Sequence, residues 1–270
     1  MLTIKAAFAT LLFMASKSHP AVSIVIPTKN RLPLLRRALA SAGGQSVDAV
    51  EIVVVDDGDG SGATEARQIV SRPLVTVDNG GAGQVAARNR GVAAASGRTI
   101  AFLDDDDWWE GDGYLAAMMA AMPGAGLVYA SGQIVPEGQG AAGMKPLPFT
   151  PKADAASIRQ DNLLLVSGIV YERALHERLG PFDAGLPFYW DWDWYLRLFA
   201  AGVPIRSAQS DAVRISARHE TVSAPANEDE RRANLARLCN KHGLKGIVLR
   251  NHESIARDQN RSPAEEGVRA

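Results

Sequence analysis

Four short apolar runs punctuate the first hundred residues, and each breaks off at a polar turn. Residues 22–26, 50–55, 74–77 and 99–103 are β-branched or apolar nearly throughout and too short for helices, which predicts buried strands. The segments between them change period. Residues 32–42 space their apolar side chains helically, with Arg36 and Arg37 outward and Gly43-Gly44 as the stop. Residues 64–71 read as a short helix, and 84–96 as an alanine-rich one ended by Gly97. Strand and helix alternate four times. That is the pattern of an α/β fold with a mainly parallel central sheet flanked by helices.

The second half is less regular. Residues 111–122 predict a helix stopped by Pro123-Gly124, and 127–129 and 133–135 predict strands. The Gly- and Pro-rich stretch 136–151 predicts a mobile loop. An apolar run at 163–171 leads into a helix near 173–178. In 188–202, helical spacing puts Trp190, Trp194 and Leu198 on one face with Asp191 beside it, while Asp193 projects elsewhere. Strands are expected at 203–205 and 212–216, and a polar amphipathic helix at 227–242. The expected organisation is an extension over 1–19, a main domain over 20–222, a helical extension over 223–250 and a disordered tail over 251–270. The tail is charged and poor in large apolar residues.

The strand ends carry the candidate chemistry. In parallel sheets of this kind ligands bind beyond the carboxyl ends of the strands. Here those ends read Pro27-Thr28-Lys29-Asn30, Asp56-Asp57, Asp78 and four consecutive aspartates at 104–107. Four carboxylates on one strand end repel one another and resist burial. A hard divalent cation with oxygen ligands answers both problems, and a solvated acidic turn is the plain alternative. Gly80-Gly81-Ala82-Gly83 follows the third strand but lacks the spacing and the lysine of a phosphate-binding loop. A classical dinucleotide oxidoreductase and a P-loop ATPase are thereby disfavoured.

Composition narrows the classes further. The 270 residues are 46% hydrophobic and 22% charged, enough for a sizeable core. A net charge of −1 and no basic cluster with interleaved aromatics argue against a nucleic-acid partner. The single cysteine, Cys239, excludes an internal disulfide framework and a multi-cysteine zinc site. Lys5 followed by about ten apolar residues is signal-like, yet too short to span a bilayer. Met14 offers a second start, so 1–19 is expected to be an appended or mis-assigned beginning. A cytoplasmic protein, at most peripheral to a membrane, is the expectation.

Taken together, VSIVIPTKNR (22–31), EIVVVDDGDGSG (51–62), NGGAGQVAARNRGVAAASG (79–97), FLDDDDWW (102–109), GPFD (180–183) and WDWDWYLRLFAAG (190–202) resemble glycosyltransferase family 2, the inverting enzymes of the GT-A fold. The resemblance covers about residues 20–222, and its first four pieces in this order are specific where any one alone is weak. It implies a GT-A, nucleotide-diphospho-sugar transferase fold with a smaller acceptor-side region. It also implies a nucleoside-diphosphate sugar as donor, Mn²⁺ or Mg²⁺ as cofactor, and a saccharide, lipid-linked or other hydroxyl acceptor. Surface polysaccharide or glycoconjugate assembly is the process it suggests.

The resemblance also assigns residues. Pro27 and Thr28 line the nucleotide site, Asp57 meets the base and Arg88 lies near the nucleotide. Asp104 and Asp106 match the two acids of an Asp-x-Asp motif, the first toward the ribose and metal and the last on the metal. Asp105 is the variable middle residue, counted on the nucleotide side, and Asp107 is a further acid. Asp191 matches the general base, with Asp193 in reserve, and His219 matches a late segment that reaches the metal or diphosphate. One departure stands out: Trp190 occupies the position of the family's glutamate before the base. A tryptophan accepts no proton, but with Trp192 and Trp194 it could wall an acceptor pocket. Each assignment has a rival: Asp57 as a helix cap, Arg88 as a surface cation, Asp191 as a helix-dipole partner, the tryptophans as core. Two other functions stay open: a non-catalytic nucleotide-sugar-binding protein on the same fold, motivated by Trp190, and a nucleotidyltransferase, for which PTKNR is a poor loop.

Overall fold

The run VSIVIPT forms β1 (Val22–Thr28), buried at every position in the computed structural model, which describes residues 20–218 and 228–261. After α1 (Leu32–Gly43) comes β2 (Val50–Asp56), equally buried and parallel to β1. Then follow α2 (Ser61–Ile69), β3 (Leu74–Asp78), α3 (Gln84–Ala94) and β4 (Thr99–Phe102). The four predicted strands are present and parallel to one another, in the order β4-β1-β2-β3. Ile24, Val25, Ile26 and residues 52–55 are wholly enclosed; each such side chain contributes about 1.5–3 kcal/mol. Gly91 lets α3 lie close on the sheet, since a Cβ there would collide with Val25 and Val55.

The remaining elements are β5 (Trp108–Trp109), α4 (Tyr114–Ala121), β6 (Leu127–Tyr129), β7 (Gly132–Pro136), β8 (Leu147–Phe149), β9 (Ile169–Glu172) and α5 (Ala174–Leu179). They continue as α6 (Trp190–Ala200), β10 (Ile205–Ser207), β11 (Val213–Ala217), α7 (Glu228–His242) and α8 (His252–Gln259). A seven-stranded sheet runs in the order β10-β6-β9-β4-β1-β2-β3, with β9 antiparallel to both neighbours. A second sheet, β5-β11-β7-β8, faces the carboxyl ends of the first across the cleft described below.

Two expectations need correction. The stretch 136–151 is not loop throughout: β8 pairs with β7, Leu147 opposite Ile134, and Phe149 is buried. The expected disordered tail begins with a helix. Asn251 accepts from the Ser254 N–H (2.9 Å), the Ser254 hydroxyl accepts from the Asn251 N–H (3.1 Å), and Ile255 and Ala256 are buried. A capping box and two apolar anchors outweigh the charged composition. Among the described residues no helix is long and apolar enough to cross a membrane.

Candidate active site

The register of the large sheet brings Thr28 of β1 beside Asp56 of β2, and Asp56 beside Asp78 of β3. Past these ends opens a cleft of about 1260 Å³. One wall holds Pro27, Thr28, Lys29, Asp57, Arg88 and the four aspartates at 104–107; the other is built from β7, β8, β11, the start of α6 and α8. Asp78 is exposed and does not line it, so only two of the three acidic strand ends converge.

Neighbouring acids divide the work. Asp56 accepts from the N–H groups of Gly58 (2.8 Å) and Ala63 (2.9 Å), which spends it on the turn into α2. Asp57 is therefore not the cap. Its Oδ1 accepts from the Asn79 amide and the Gly83 N–H (3.1 Å), and its Oδ2 lies 3.5 Å from Lys29 Nζ at the cleft. Gly83 reaches that position with φ +90°, a backbone open to glycine and costly for other residues.

The run at 104–107 is divided likewise. Asp105 is fully buried; Thr28 Oγ1 donates to it (2.7 Å) and the Arg31 guanidinium grips both of its oxygens. It ties β1 to β4, so its contacts are those of an anchor and not of a ligand-facing acid. Burial outweighs Arg31 and Thr28 and pushes its carboxyl up to about 6. Arg88, itself buried, donates to Asp104 (2.5 Å), and Arg31 to Asp106 (2.9 Å). Asp107 accepts from the Ser167 hydroxyl (2.6 Å) and the Ser216 N–H (2.9 Å), joining the run to β11. Oxygens of Asp104, Asp106 and Asp107 all lie within 4.8 Å of one another. Burial, then Asp104, raises the Asp106 carboxyl against the pull of Arg31; burial, Asp106 and Asp104 raise that of Asp107 further. Such a group of oxygens suits a hard divalent cation, which relieves the repulsion.

Behind this wall, Arg37 donates to the Asp106 carbonyl (2.5 Å) and to Glu137 (2.5 and 2.9 Å), and its guanidinium lies 3.8 Å over the Trp108 ring. Glu137 also accepts from Ser216 (2.5 Å) and Arg218 (3.2 Å). Its hydrogen bond with Arg37, ahead of the other donors, holds its carboxyl down at about 2.

On the far wall Asp191, in the first turn of α6, lines the cleft while 6% exposed. Asn162 Nδ2 donates to its Oδ2 (2.8 Å), and burial pushes its carboxyl up to about 6. Asp193 turns away. Arg197 (3.0 Å), Lys241 (2.8 Å) and His242 (2.7 Å) surround it, and these donors outweigh burial and hold its carboxyl low. It is a clamp between α6 and α7, not a reserve for the cleft. The tryptophans separate too. Trp190 lines the cleft beneath Arg88, whose guanidinium carbon lies 4.6 Å from its ring. Trp192 donates to the Ile158 carbonyl (2.6 Å), and Trp194 is enclosed by Tyr171, His176 and Phe182. The last two rings are core, which corrects the idea of a three-tryptophan wall. His219 lies outside the described residues.

Sequence reading missed Arg31, Asn79, Asn162, Ser167 and Ser216. Arg31, following directly on PTKN, and Asn79, which opens the 79–97 piece, carried a signal; the others act across 29 to 109 residues.

The arrangement unites a cation-suited cluster, a nucleotide-sized cleft and one isolated carboxylate close to neutrality. Comparison with known proteins agrees. Residues 23–174 match the model for glycosyl transferase family 2. An uncharacterised glycosyltransferase, YwdF of Bacillus subtilis (strain 168), is 34% identical over 241 residues, 85% of this chain and 87% of the relative. Among solved structures, the mannosyltransferase PcManGT from Pyrobaculum calidifontis, in complex with GDP-Man and Mn²⁺, superposes with a TM-score of 0.60 at 19% identity, covering 95% of this chain and 76% of the other. S. aureus TarS 1–349 in complex with UDP-GlcNAc gives 0.58 at 17% identity, covering 87% and 69%. At these identities the two structures speak for the fold.

Proposed function

Because the chain belongs to glycosyl transferase family 2, we propose that it moves a sugar from a nucleoside-diphosphate sugar to an acceptor hydroxyl in one inverting displacement. The observation that carries this reading is a single cleft holding both the three-carboxylate cluster and the separate carboxylate of Asp191. Asp104 and Asp106 hold Mn²⁺ or Mg²⁺, with Asp107 behind them. The cation's chemistry is to neutralise the charge that develops on the departing diphosphate. Arg88, paired with Asp104 on the cleft, adds positive charge to the same end, while Lys29 sits beside Asp57. Pro27, Thr28 and Asp57 face the nucleoside.

Asp191 removes the acceptor proton. A carboxyl near 6 is ionised at neutral pH yet basic enough to take a proton in the transition state. It must act from the side opposite the leaving group, and its place on α6, apart from the acid run, suits that demand. Trp190 packs under Arg88 and leaves Asp191 in the cleft, so the departure from the family's glutamate does not by itself favour a non-catalytic protein. Assembly of a surface polysaccharide or glycoconjugate is the setting we infer.

A thermal-shift screen of nucleoside diphosphates and their sugars tests this. One of them raises the melting temperature in the presence of Mn²⁺, and the matching sugar is slowly hydrolysed. If none shifts the melting temperature, with or without the cation, the reading is wrong.

A further inference from the structure

Arg31 stands just before α1, and its side chain reaches the acid run that follows β4. The guanidinium lies between two carboxylates. Its Nε/Nη2 edge takes Asp105: Nε donates to Oδ2 (3.2 Å) and Nη2 to Oδ1. The remaining corner, Nη1, donates to Asp106 Oδ2 (2.9 Å). Asp105 is fully buried and also accepts from Thr28 Oγ1 (2.7 Å), so both of its oxygens are occupied inside the protein. A two-point grip on an enclosed carboxylate fixes a guanidinium in plane and direction. Arg31 itself is 44% exposed and lines the cleft. Three of its five N–H groups are bonded, and the remaining two belong to Nη1 and Nη2. The other cations near the run are placed differently. Arg88 is buried on Asp104 (2.5 Å), Arg37 is shared between Glu137 and the Asp106 carbonyl, and Lys29 lies 3.5 Å from Asp57. Of these four only Arg31 bonds two carboxylates of the run, and one of them, Asp106, belongs to the three-carboxylate cluster.

We propose that Arg31, held by Asp105, makes cation binding depend on the nucleoside diphosphate. This rests on the transfer reaction proposed above. A fixed positive charge on Asp106 repels a divalent cation and competes with it for that carboxylate, so the cluster by itself binds Mn²⁺ weakly. A diphosphate supplies acceptor oxygens for the remaining N–H groups of Arg31 and negative charge for the guanidinium and the metal together. The repulsion is then answered, and cation and nucleotide bind as a pair. Asp105 is a positioning residue. With its oxygens taken by Thr28 and Arg31, it acts through the direction it gives the guanidinium.

The experiment uses the full chain and titration calorimetry, with two probes: Mn²⁺ alone, and the nucleoside diphosphate selected by the thermal-shift screen at saturating Mn²⁺. Arg31→Gln binds Mn²⁺ alone about tenfold more tightly than the parent, yet binds the nucleoside diphosphate about tenfold less tightly. Loss of a mere anchor would weaken both. Arg31→Lys keeps the charge without the fork and falls between the two. Asp105→Asn lowers nucleoside diphosphate affinity severalfold in the parent and changes it little once Arg31 is glutamine, a coupling expected when Asp105 acts through Arg31. That double variant carries no unpaired buried charge, so it gives the Mn²⁺ result if Arg31→Gln alone does not fold. The inference is overturned if Mn²⁺ binds these variants no more tightly than the parent, if nucleoside diphosphate affinity is unchanged, or if Asp105→Asn costs the same in both backgrounds. Any of these results with nucleotide binding intact leaves the transferase reading standing, whereas absence of any nucleoside diphosphate binding removes both.

Discussion

The two acidic stretches of the cleft, 104–107 after β4 and 191–193 on α6, meet the same difficulty in opposite ways. Each has one wholly enclosed aspartate gripped by an arginine: Asp105 by Arg31, Asp193 by Arg197. The first leaves Asp104, Asp106 and Asp107 on the cleft, and the second leaves Asp191. In the first stretch the acids are crowded, so even the anchored Asp105 is pushed up to about 6, by burial and by its neighbours Asp106 and Asp104, against Arg31. In the second, Asp193 faces Arg197, Lys241 and His242 and stays low, while Asp191, two residues away, rises through burial alone. Crowding suits a cation; isolation suits a proton. Two carboxyl sets of one composition are thus driven toward different chemistry by what surrounds them.

The largest expected effect separates the members of the α6 pair. Asp191→Asn lowers transfer by about 10²–10⁴-fold, the range for losing a general base, while the melting temperature and the donor shift stay near those of the parent. Activity of the parent rises with pH through about 6 and levels above it, since only ionised Asp191 accepts a proton. Steady-state rates from about pH 5 to 8 check both points. A variant retaining full transfer would erase the distinction between the stretches.

Next comes the first stretch. Asp106→Ala removes the cation-dependent part of donor binding and lowers transfer by about 10²–10³-fold. In the parent, Mn²⁺ raises the melting temperature more at about pH 7.5 than at about pH 5.5, because the raised carboxyls of Asp106 and Asp107 must lose protons to hold it. Calorimetry at the two pH values reads this directly. Equal shifts would mean that the cation binds elsewhere.

The stretches also differ in how far they could be read beforehand. The first is local: a buried run that stops at acids is visible as a change of period, and parallel topology brings Thr28 and Asp57 to the same edge. Sequence could not tell Asp56 from Asp57, because which one caps α2 depends on backbone direction at the turn. The second wall is assembled from distant segments. Ser167 and Ser216 lie 60 and 109 residues from Asp107, Asn162 lies 29 from Asp191, and no spacing announces them. For α8 a signal did exist. The Asn251-x-x-Ser254 box marks its start, and the charged composition of the tail masks it. The tryptophans failed differently: helical spacing gave their shared face correctly and left open whether that face met the cleft or the core.

A smaller effect belongs to the anchors. Asp193→Ala leaves three donors around an enclosed gap. Lys241 and Arg197 are partly exposed, so solvent takes up much of the loss, and about 2 kcal/mol of stability is expected to go, seen in denaturant melts with little change in transfer. The carboxyl is held low in the fold, so its contribution is present above the ordinary aspartate range and lost as pH falls. The gap between parent and variant therefore narrows in acid.

The smallest and most discriminating effect concerns Asn162. Its amide favours the charged form of Asp191, against the burial that opposes it. Asn162→Ala removes that favour, so the acid limb of the pH–rate profile moves to higher pH. A side chain that merely filled space would leave the limb in place and change the rate evenly at every pH. Asn162→Asp sets a like charge beside Asp191 whenever both are ionised, and moves the limb further the same way. Donor affinity, governed by the other stretch, stays put in both variants. A displaced limb with unchanged donor binding would show that the two walls tune separate steps; a joint change would show that Arg88, which touches Asp104 and lies over Trp190, couples them.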